Sequence, residues 1–166
     1  MNSHMGIVLF VLVAAVVAVG GCDQSTVGDG QSLDTIPTIR QGVYGYVKFW
    51  EGDFMPTVPP APSRGTITPV ARPIVVHTPT GFDSVTQVGY SPFYREIFTP
   101  QVATTNSNAK GFFQIELPVG SYSFFVVEDS LFYANGSDGQ GHLWPATVYA
   151  DSLTFVELNI TYRATF

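Results

Sequence analysis

The clearest pattern in the chain is an alternation of apolar and polar residues over positions 156–166. Every second residue there is apolar: Val156, Leu158, Ile160, Tyr162, Ala164 and Phe166. The intervening residues are Glu157, Asn159, Thr161, Arg163 and Thr165. Because successive side chains of a β-strand point to opposite faces, this pattern predicts a strand with one face in a core and the other in water.

The same alternation predicts further strands. Residues 112–117 and 122–126 alternate on either side of Pro118 and Gly120, which suit a tight hairpin turn because proline fixes φ and glycine tolerates positive φ. Other strands are predicted at 43–50, 71–78, 98–105 and 147–150. No helical period is sustained from Gly42 onward, and the chain contains 12 prolines and 16 glycines. The sequence therefore predicts an all-β domain of about seven antiparallel strands in a two-sheet sandwich.

The N-terminal region has a different pattern. Residues 7–19 form an unbroken apolar run that is shorter than the roughly 20 residues needed to span a bilayer, which is typical of a cleavable export signal. No Lys or Arg precedes the run, although export signals usually begin with positive charge. The following Val19-Gly20-Gly21-Cys22 resembles the lipobox of bacterial lipoproteins. That resemblance implies cleavage before Cys22, the single cysteine of the chain, and lipid attachment to its thiol.

The segment after Cys22 predicts how the domain is attached. Residues 23–41 are polar and aperiodic, so we expect a flexible tether with an r.m.s. reach of roughly 25 Å. The predicted organisation is a signal peptide at 1–21, a lipidated cysteine and tether at 22–41, and a β-sandwich at 42–166. The predicted location is the bacterial envelope, anchored by lipid at the outer membrane. Asp23 resembles the inner-membrane retention signal of enterobacterial lipoproteins, whereas acidic residues there resemble a surface-export signal in Bacteroidetes, and both readings stay open.

Residues 104–122 carry a family resemblance. A polar turn ending in Gly111 leads into an aromatic strand, a Pro-x-Gly turn and Tyr122. This order resembles that of carboxypeptidase regulatory-like domains. Residues 42–47 resemble the first strand of that family, and residues 73–77 resemble its third strand. The whole chain also resembles small Bacteroidetes-type lipoproteins made of one such domain. The resemblance implies a transthyretin-like, Greek-key sandwich without catalytic activity, extended here by an insertion at about 80–98.

Composition excludes some functions. A net charge of −6 without a basic stripe argues against nucleic-acid binding. Residues 42–166 hold two histidines, His77 and His142, and no nucleophile-elbow or zinc-helix motif, so we predict that the protein is not an enzyme. The alternative is a transthyretin-like hydrolase. Enzymes of that family end in a Tyr-Arg-Gly-Ser motif, and the pair Tyr162-Arg163 resembles its first half. The Gly-Ser that follows in that family is absent here.

Aromatic residues make up 14% of the chain, more than one small core plainly needs. Exposed aromatic rings on loops bind sugars or proteins, and the candidates are Trp50, Phe93, Tyr94 and Trp144. The predicted function is a non-catalytic, lipid-anchored module that presents loops for protein or ligand binding. The alternative is a glycan-binding surface lipoprotein.

The segment 128–142 is rich in oxygen ligands and glycine. Asp129, Asn135 and Asp138 could ligate Ca²⁺, but the alternating spacing of an EF-hand loop is missing. We therefore expect a solvated turn and no cofactor, with bound Ca²⁺ as the alternative. Asn135 and Asn159 also begin sequons, which would be glycosylated if the protein were a eukaryotic secreted one.

Overall fold

The computed structural model describes residues 33–62 and 64–166, and these form β-strands with two short 3-10 turns, at Leu33–Thr35 and Phe82–Ser84. The strands are β1 (Gly42–Asp53), β2 (Thr66–Pro69), β3 (Pro73–His77), β4 (Val85–Gln87), β5 (Phe93–Ile97), β6 (Gln101–Asn106), β7 (Phe112–Glu116), β8 (Gly120–Glu128), β9 (Leu131–Tyr133), β10 (Pro145–Val148) and β11 (Leu153–Thr165). This part of the chain contains no helix with the length and apolar character needed to cross a bilayer. The predicted all-β class is confirmed.

The strands form two sheets. The first sheet has the order β11-β1-β2, and β7 pairs with β1 beside β2. The second sheet has the order β4-β5-β9-β8-β3-β6, and β10 pairs with β8. The pairing of β1 with β11 is parallel, and the other described strand pairs are antiparallel. The predicted two-sheet, mostly antiparallel architecture is therefore confirmed.

The main core lies between the two sheets. The alternating inward residues of β1 and β11, such as Val43, Val47, Leu158 and Ile160, are at most 2% exposed. They pack against inward residues of the second sheet, which are Ile74, Val76, Tyr122, Phe124, Val126, Tyr133, Ala146 and Val148. Burial of this apolar surface is the main stabilising contribution to the fold.

A second core lies on the other face of the second sheet. It consists of Val75, Tyr94, Phe125, Ala134 and Leu143. The segment between β9 and β10 supplies the last two of these residues, so this loop covers the sheet. As a result, β8 is buried on both faces over residues 122–126.

The number of strands exceeds the predicted seven. All seven predicted strands are present, and β2, β4, β5 and β9 are additional. The predicted insertion contains β4 and β5, whose hairpin joins the second sheet through β9. β4, β5 and β9 are three to five residues long, too short for alternation to be visible, and every residue of β2 is exposed.

The last residues of the predicted tether lie along β7. The Thr38 backbone N–H donates to Gln114 Oε1 at 2.8 Å, and Gln114 Nε2 donates to Thr38 Oγ1 at 2.8 Å. Asn108 Nδ2 donates to the Asp34 carbonyl at 2.7 Å. Residues 34–38 are thus attached to the sandwich, while residues 23–32 lie outside the described part of the chain.

Candidate functional site

The four aromatic residues predicted as binding candidates fall in two different environments. Tyr94 is 1% exposed and belongs to the second core. Phe93 packs against the main core, with its ring centroid 5.1 Å from those of both Tyr133 and Tyr162 in edge-to-face geometry. Both rings contribute to packing, and Tyr94 also lines a cavity beside the β4–β5 hairpin.

The other two candidates, Trp50 and Trp144, are brought together. Both line one open cavity of about 310 Å³, which we call the tryptophan groove; its remaining lining residues are Asn135, Asn159, Thr161 and Phe166. The groove lies where the outward face of β1 and β11 meets the segment between β9 and β10. Its volume is at the low end of the range for small-molecule sites, roughly 300–1,000 Å³.

Trp50 forms the first wall of the groove. It occupies an outward position of β1, and its indole Nε1 donates to Asn159 Oδ1 of the neighbouring β11 at 3.0 Å. Its ring centroid lies 5.0 Å from that of Phe54 and 6.1 Å from that of Phe166. The indole is therefore fixed by a hydrogen bond and by two neighbouring rings.

Phe166 reaches this wall because the pairing of β1 and β11 is irregular. Phe49 pairs with Ile160, but Glu51 pairs with Arg163, so a step of two residues in β1 matches a step of three in β11. A bulge of this kind shifts the alternation of side chains by one residue. Strict alternation predicts Phe166 in the core, but the residue is 64% exposed.

Trp144 forms the second wall and has an unusual backbone. Its φ is +36°, a region that bulky residues rarely adopt. The conformation is held by two hydrogen bonds, from Trp144 N to the Gly136 carbonyl at 2.9 Å and from Phe124 N to the Trp144 carbonyl at 3.1 Å. The indole meets the Tyr133 ring edge-on at 5.7 Å. Strained backbone of this kind is concentrated at functional sites, and here it aims an indole into the groove.

Gly136 makes room for that indole. A Cβ atom at this position would lie 2.6 Å from Trp144 Cδ1 and 2.7 Å from its Nε1, which is closer than real contacts allow. Gly139, in the same loop, has open space around it. The indole therefore rests directly on the backbone of the loop, and only glycine permits this.

Thr161 joins the two sheets at the groove. Its backbone N–H donates to the Tyr133 hydroxyl at 2.9 Å, and its Oγ1 lies 3.2 Å from the same hydroxyl. Asn135 Nδ2 donates to Thr161 Oγ1 at 2.6 Å. Burial raises the pKa of the Tyr133 phenol, so this network is neutral at physiological pH.

Several polar groups of the groove have no partner among the described residues. They are the Asn159 amide NH₂, the Asn135 amide oxygen and the Trp144 indole N–H. Among the described residues that are not exposed, His77 Nε2 is the one fully buried side-chain nitrogen or oxygen without a partner, so the Asn159 amide and the Trp144 N–H are accessible to solvent. Asn135 is itself an exposed residue. The groove thus offers two kinds of donor and one acceptor beside two aromatic surfaces.

The groove contains no charged side chain. Its lining consists of aromatic rings, asparagine amides and the threonine hydroxyl, without Asp, Glu, His, Lys or Arg. The hydroxyl is already bonded to Tyr133 and Asn135 and has no base beside it. This arrangement can hold a neutral ligand by stacking and hydrogen bonding.

The three predicted ion ligands line three different cavities. Asp129 lies in the two-residue turn between β8 and β9, Asn135 lies in the groove, and Asp138 is bonded within its own loop. Asp138 accepts hydrogen bonds from the His142 ring and from the backbone N–H groups of His142 and Gln140, which lower the pKa of its carboxyl. Among the described residues there is no group of three or more His, Cys, Asp or Glu side chains positioned to hold a metal ion.

The residues of the hydrolase alternative are found in separate places. His77 is 4% exposed, its Nδ1 lies 2.9 Å from the Thr99 carbonyl, and burial lowers the pKa of its imidazole. His142 lines a cavity beside β10, and Arg163 lines another together with Glu51. The histidines and the arginine therefore do not line a common cavity.

Sequence reasoning missed three groove residues, which are Asn159, Thr161 and Phe166. The signal for two of them was present, because Asn159 and Thr161 are outward positions of the alternating last strand. The bulge that redirects Phe166 has no such signal.

Cys22, the predicted lipidation site, lies outside the described residues. Comparisons with protein-family models, curated proteins and solved structures found no match to this chain.

Proposed function

We propose that this protein is a non-catalytic, lipid-anchored, glycan-binding module of the bacterial cell envelope, and that it holds a neutral sugar ring in the tryptophan groove. One observation carries the proposal. The chain has two tryptophans, far apart in sequence, and both line the same open cavity together with two asparagine side chains.

The groove has the chemistry that a sugar ring requires. A pyranose presents a face of C–H groups, which packs on an aromatic ring, and an edge of hydroxyls, which both donate and accept hydrogen bonds. Trp50 and Trp144 supply apolar surfaces, and Asn135 and Asn159 supply an acceptor and a donor. Ligand sites in general combine apolar walls with a few convergent polar groups in this way.

The absence of charged side chains in the groove favours a neutral glycan. No side chain of the groove could neutralise a carboxylate, sulfate or phosphate on a ligand. The net charge of −6 on the chain would also repel an acidic polymer at long range. Neutral oligosaccharides are therefore the class of ligand that fits the groove best.

The same lining supports binding without turnover. Most glycoside hydrolases place two carboxyl groups about 5–9.5 Å apart across the scissile bond. The groove has no carboxyl side chain. A sugar held there would be bound and released unchanged.

The membrane anchor and the family are the parts of the proposal that rest on sequence. The lipobox-like residues before Cys22 support lipidation and an anchor in the bacterial envelope. Residues 104–122 support a carboxypeptidase regulatory-like, transthyretin-like domain.

The binding proposal is tested with neutral oligosaccharides built from glucose, mannose, xylose or galactose. Because both tryptophans line the groove, a bound sugar should shift or quench the intrinsic fluorescence, and calorimetry gives the affinity independently. Trp50→Ala and Trp144→Ala should each weaken binding by at least about tenfold, equivalent to about 1.4 kcal/mol. Each variant keeps one tryptophan as a reporter.

Phe98→Ala is the matched control, because Phe98 is an aromatic residue that is 66% exposed and does not line the groove. It should leave the affinity unchanged. Equal affinities of wild type and Trp144→Ala, or no binding to any member of the panel by the folded protein, would overturn glycan binding at this site.

The anchor is tested by intact mass and by protease accessibility on whole cells. The native protein should carry a lipid-sized mass increase that Cys22→Ser lacks. A chain that retains residues 1–21 without added mass would exclude lipidation, and cleavage of the domain on whole cells would establish surface display.

A further inference from the structure

A second cavity adjoins the tryptophan groove. It has a volume of about 220 Å³ and lies between the β4–β5 hairpin and the segment after β9. Phe82 and Tyr90 line it from the hairpin side, and Asn135 and Leu143 line it from the other side. We call this cavity the hairpin cleft.

Asn135 connects the groove and the cleft. Asn135 lines both cavities and is an exposed residue. The Nδ2 atom is held by Thr161 on the groove side, which leaves the amide oxygen without a partner among the described residues. This shared residue makes the groove and the cleft neighbours on the surface of the domain.

The hairpin cleft has aromatic residues that packing does not explain. The Tyr90 side chain is fully exposed, and Phe82 is 52% exposed. Neither belongs to the main core or to the second core. Exposed aromatic residues in a cleft are typical of binding surfaces.

The turn that carries Tyr90 is well fixed. The Ser91 backbone N–H and hydroxyl both donate to the Val88 carbonyl, at 3.1 and 2.6 Å. Gln87 Nε2 donates to the Ser91 carbonyl at 2.8 Å, and Val88 N donates to the Phe93 carbonyl at 2.8 Å. These bonds fix the backbone of the turn that carries the exposed ring, so little backbone entropy is lost there when a ligand binds.

We infer that the groove and the cleft form one extended site for a glycan chain, with one sugar ring at the tryptophans and a further ring at Tyr90 and Phe82. This inference rests on the proposed function. Each cavity alone is near or below the size of a typical small-molecule site, roughly 300 Å³ or more, so one cavity suits one ring and the pair suits a chain. The ligand is thus a polysaccharide segment and not a free monosaccharide.

The test uses whichever oligosaccharide series of the neutral panel binds, from the monosaccharide to the hexasaccharide. Wild-type affinity should rise by at least about tenfold as the oligomer grows long enough to reach the cleft. Tyr90→Ala should remove most of this rise and leave the affinity for the shortest ligand unchanged. Trp144→Ala should weaken binding at every length.

Tyr149→Ala is the matched control, because Tyr149 is 64% exposed and lines neither cavity. It should have no effect at any length. Affinity that is independent of length, or a Tyr90→Ala effect equal for short and long ligands, would overturn the extended site while leaving sugar binding in the groove intact. Absence of glycan binding in the wild type would overturn both proposals.

Discussion

The tryptophan groove and the second core are both rich in aromatic residues, and both use the segment between β9 and β10. In the second core, the Tyr94 ring meets Phe125 edge-to-face at 6.1 Å and is closed off from water. In the groove, the indoles of Trp50 and Trp144 remain open on one side among amide groups. Aromatic side chains therefore serve packing or binding according to what surrounds them, and the residue type alone does not distinguish the two.

The largest expected effect comes from the second core. Tyr94→Ala should lower the free energy of unfolding by about 3–5 kcal/mol, because a fully buried ring is removed and a cavity is left. Trp50→Ala should cost less stability and should abolish most sugar binding. Denaturant unfolding, combined with sugar titration of the folded fraction, measures both.

Tyr94→Phe is the control for this comparison. The Tyr94 hydroxyl makes only a long, 3.5 Å contact with the Ala134 carbonyl, so removing it should cost no more than about 1 kcal/mol. If Trp50→Ala destabilised the fold as much as Tyr94→Ala, Trp50 would serve packing, and the contrast between a packing region and a binding region would be wrong.

A second prediction concerns the glycine under Trp144. Gly136→Ala should displace the indole, lower the free energy of unfolding by about 1–3 kcal/mol through overpacking, and weaken sugar binding. Gly139→Ala, in the same loop but with open space around it, should do neither. Equal behaviour of the two variants in calorimetric unfolding and sugar titration would contradict the proposed seating of the indole.

The two regions should also differ in their response to pH. Burial lowers the pKa of His77 from its ordinary value of 6.5, so the unfolded chain takes up a proton at a higher pH than the folded chain does. Stability should therefore be complete above pH 6.5 and fall as the pH decreases below that value. Sugar affinity of the folded protein should stay constant across the same window, because the groove has no titratable side chain.

Thermal unfolding at a series of pH values measures this prediction, and His77→Gln is the informative variant. It removes the titrating ring, so the dependence on pH just below 6.5 should become flatter. A slope that is unchanged in His77→Gln would show that another group is responsible.

The smallest effect is expected from an ion pair near the groove. Lys48 and Glu157 form a partly exposed ion pair on neighbouring strands. Each lies two positions before an outward residue of the groove, which is Trp50 on β1 and Asn159 on β11. Lys48→Met should change stability by no more than about 1 kcal/mol and leave the affinity for a neutral sugar unchanged. A large loss of affinity in calorimetry would mean that the ligand contacts this charge, and the neutral-glycan proposal would need revision.

Most of the fold could be predicted from alternation, because long strands with one buried face show their period directly. The parallel neighbour of β1 could not, since sequence pattern does not specify which strands pair. β2 was missed because all four of its residues are exposed, so no buried face marks it.

The site was predicted only in part. Trp50 and Trp144 were candidates by residue type, but a left-handed backbone at Trp144 aims its indole into the groove, and a bulge in β11 adds Phe166 to the same site. Both features are set by hydrogen bonds to distant residues, which local propensity does not contain. Phe93 and Tyr94 were candidates on the same grounds, and the β5–β9 pairing carries them inward.

The parallel pairing of β1 with β11 also bears on how fast the protein folds. Each residue pair between these two strands, such as Gly42 with Leu153, joins positions more than a hundred residues apart in the sequence. Contacts of such large sequence separation slow folding, because a long loop must close before they form. During synthesis on the ribosome, this edge of β1 therefore stays unpaired until β11 has emerged.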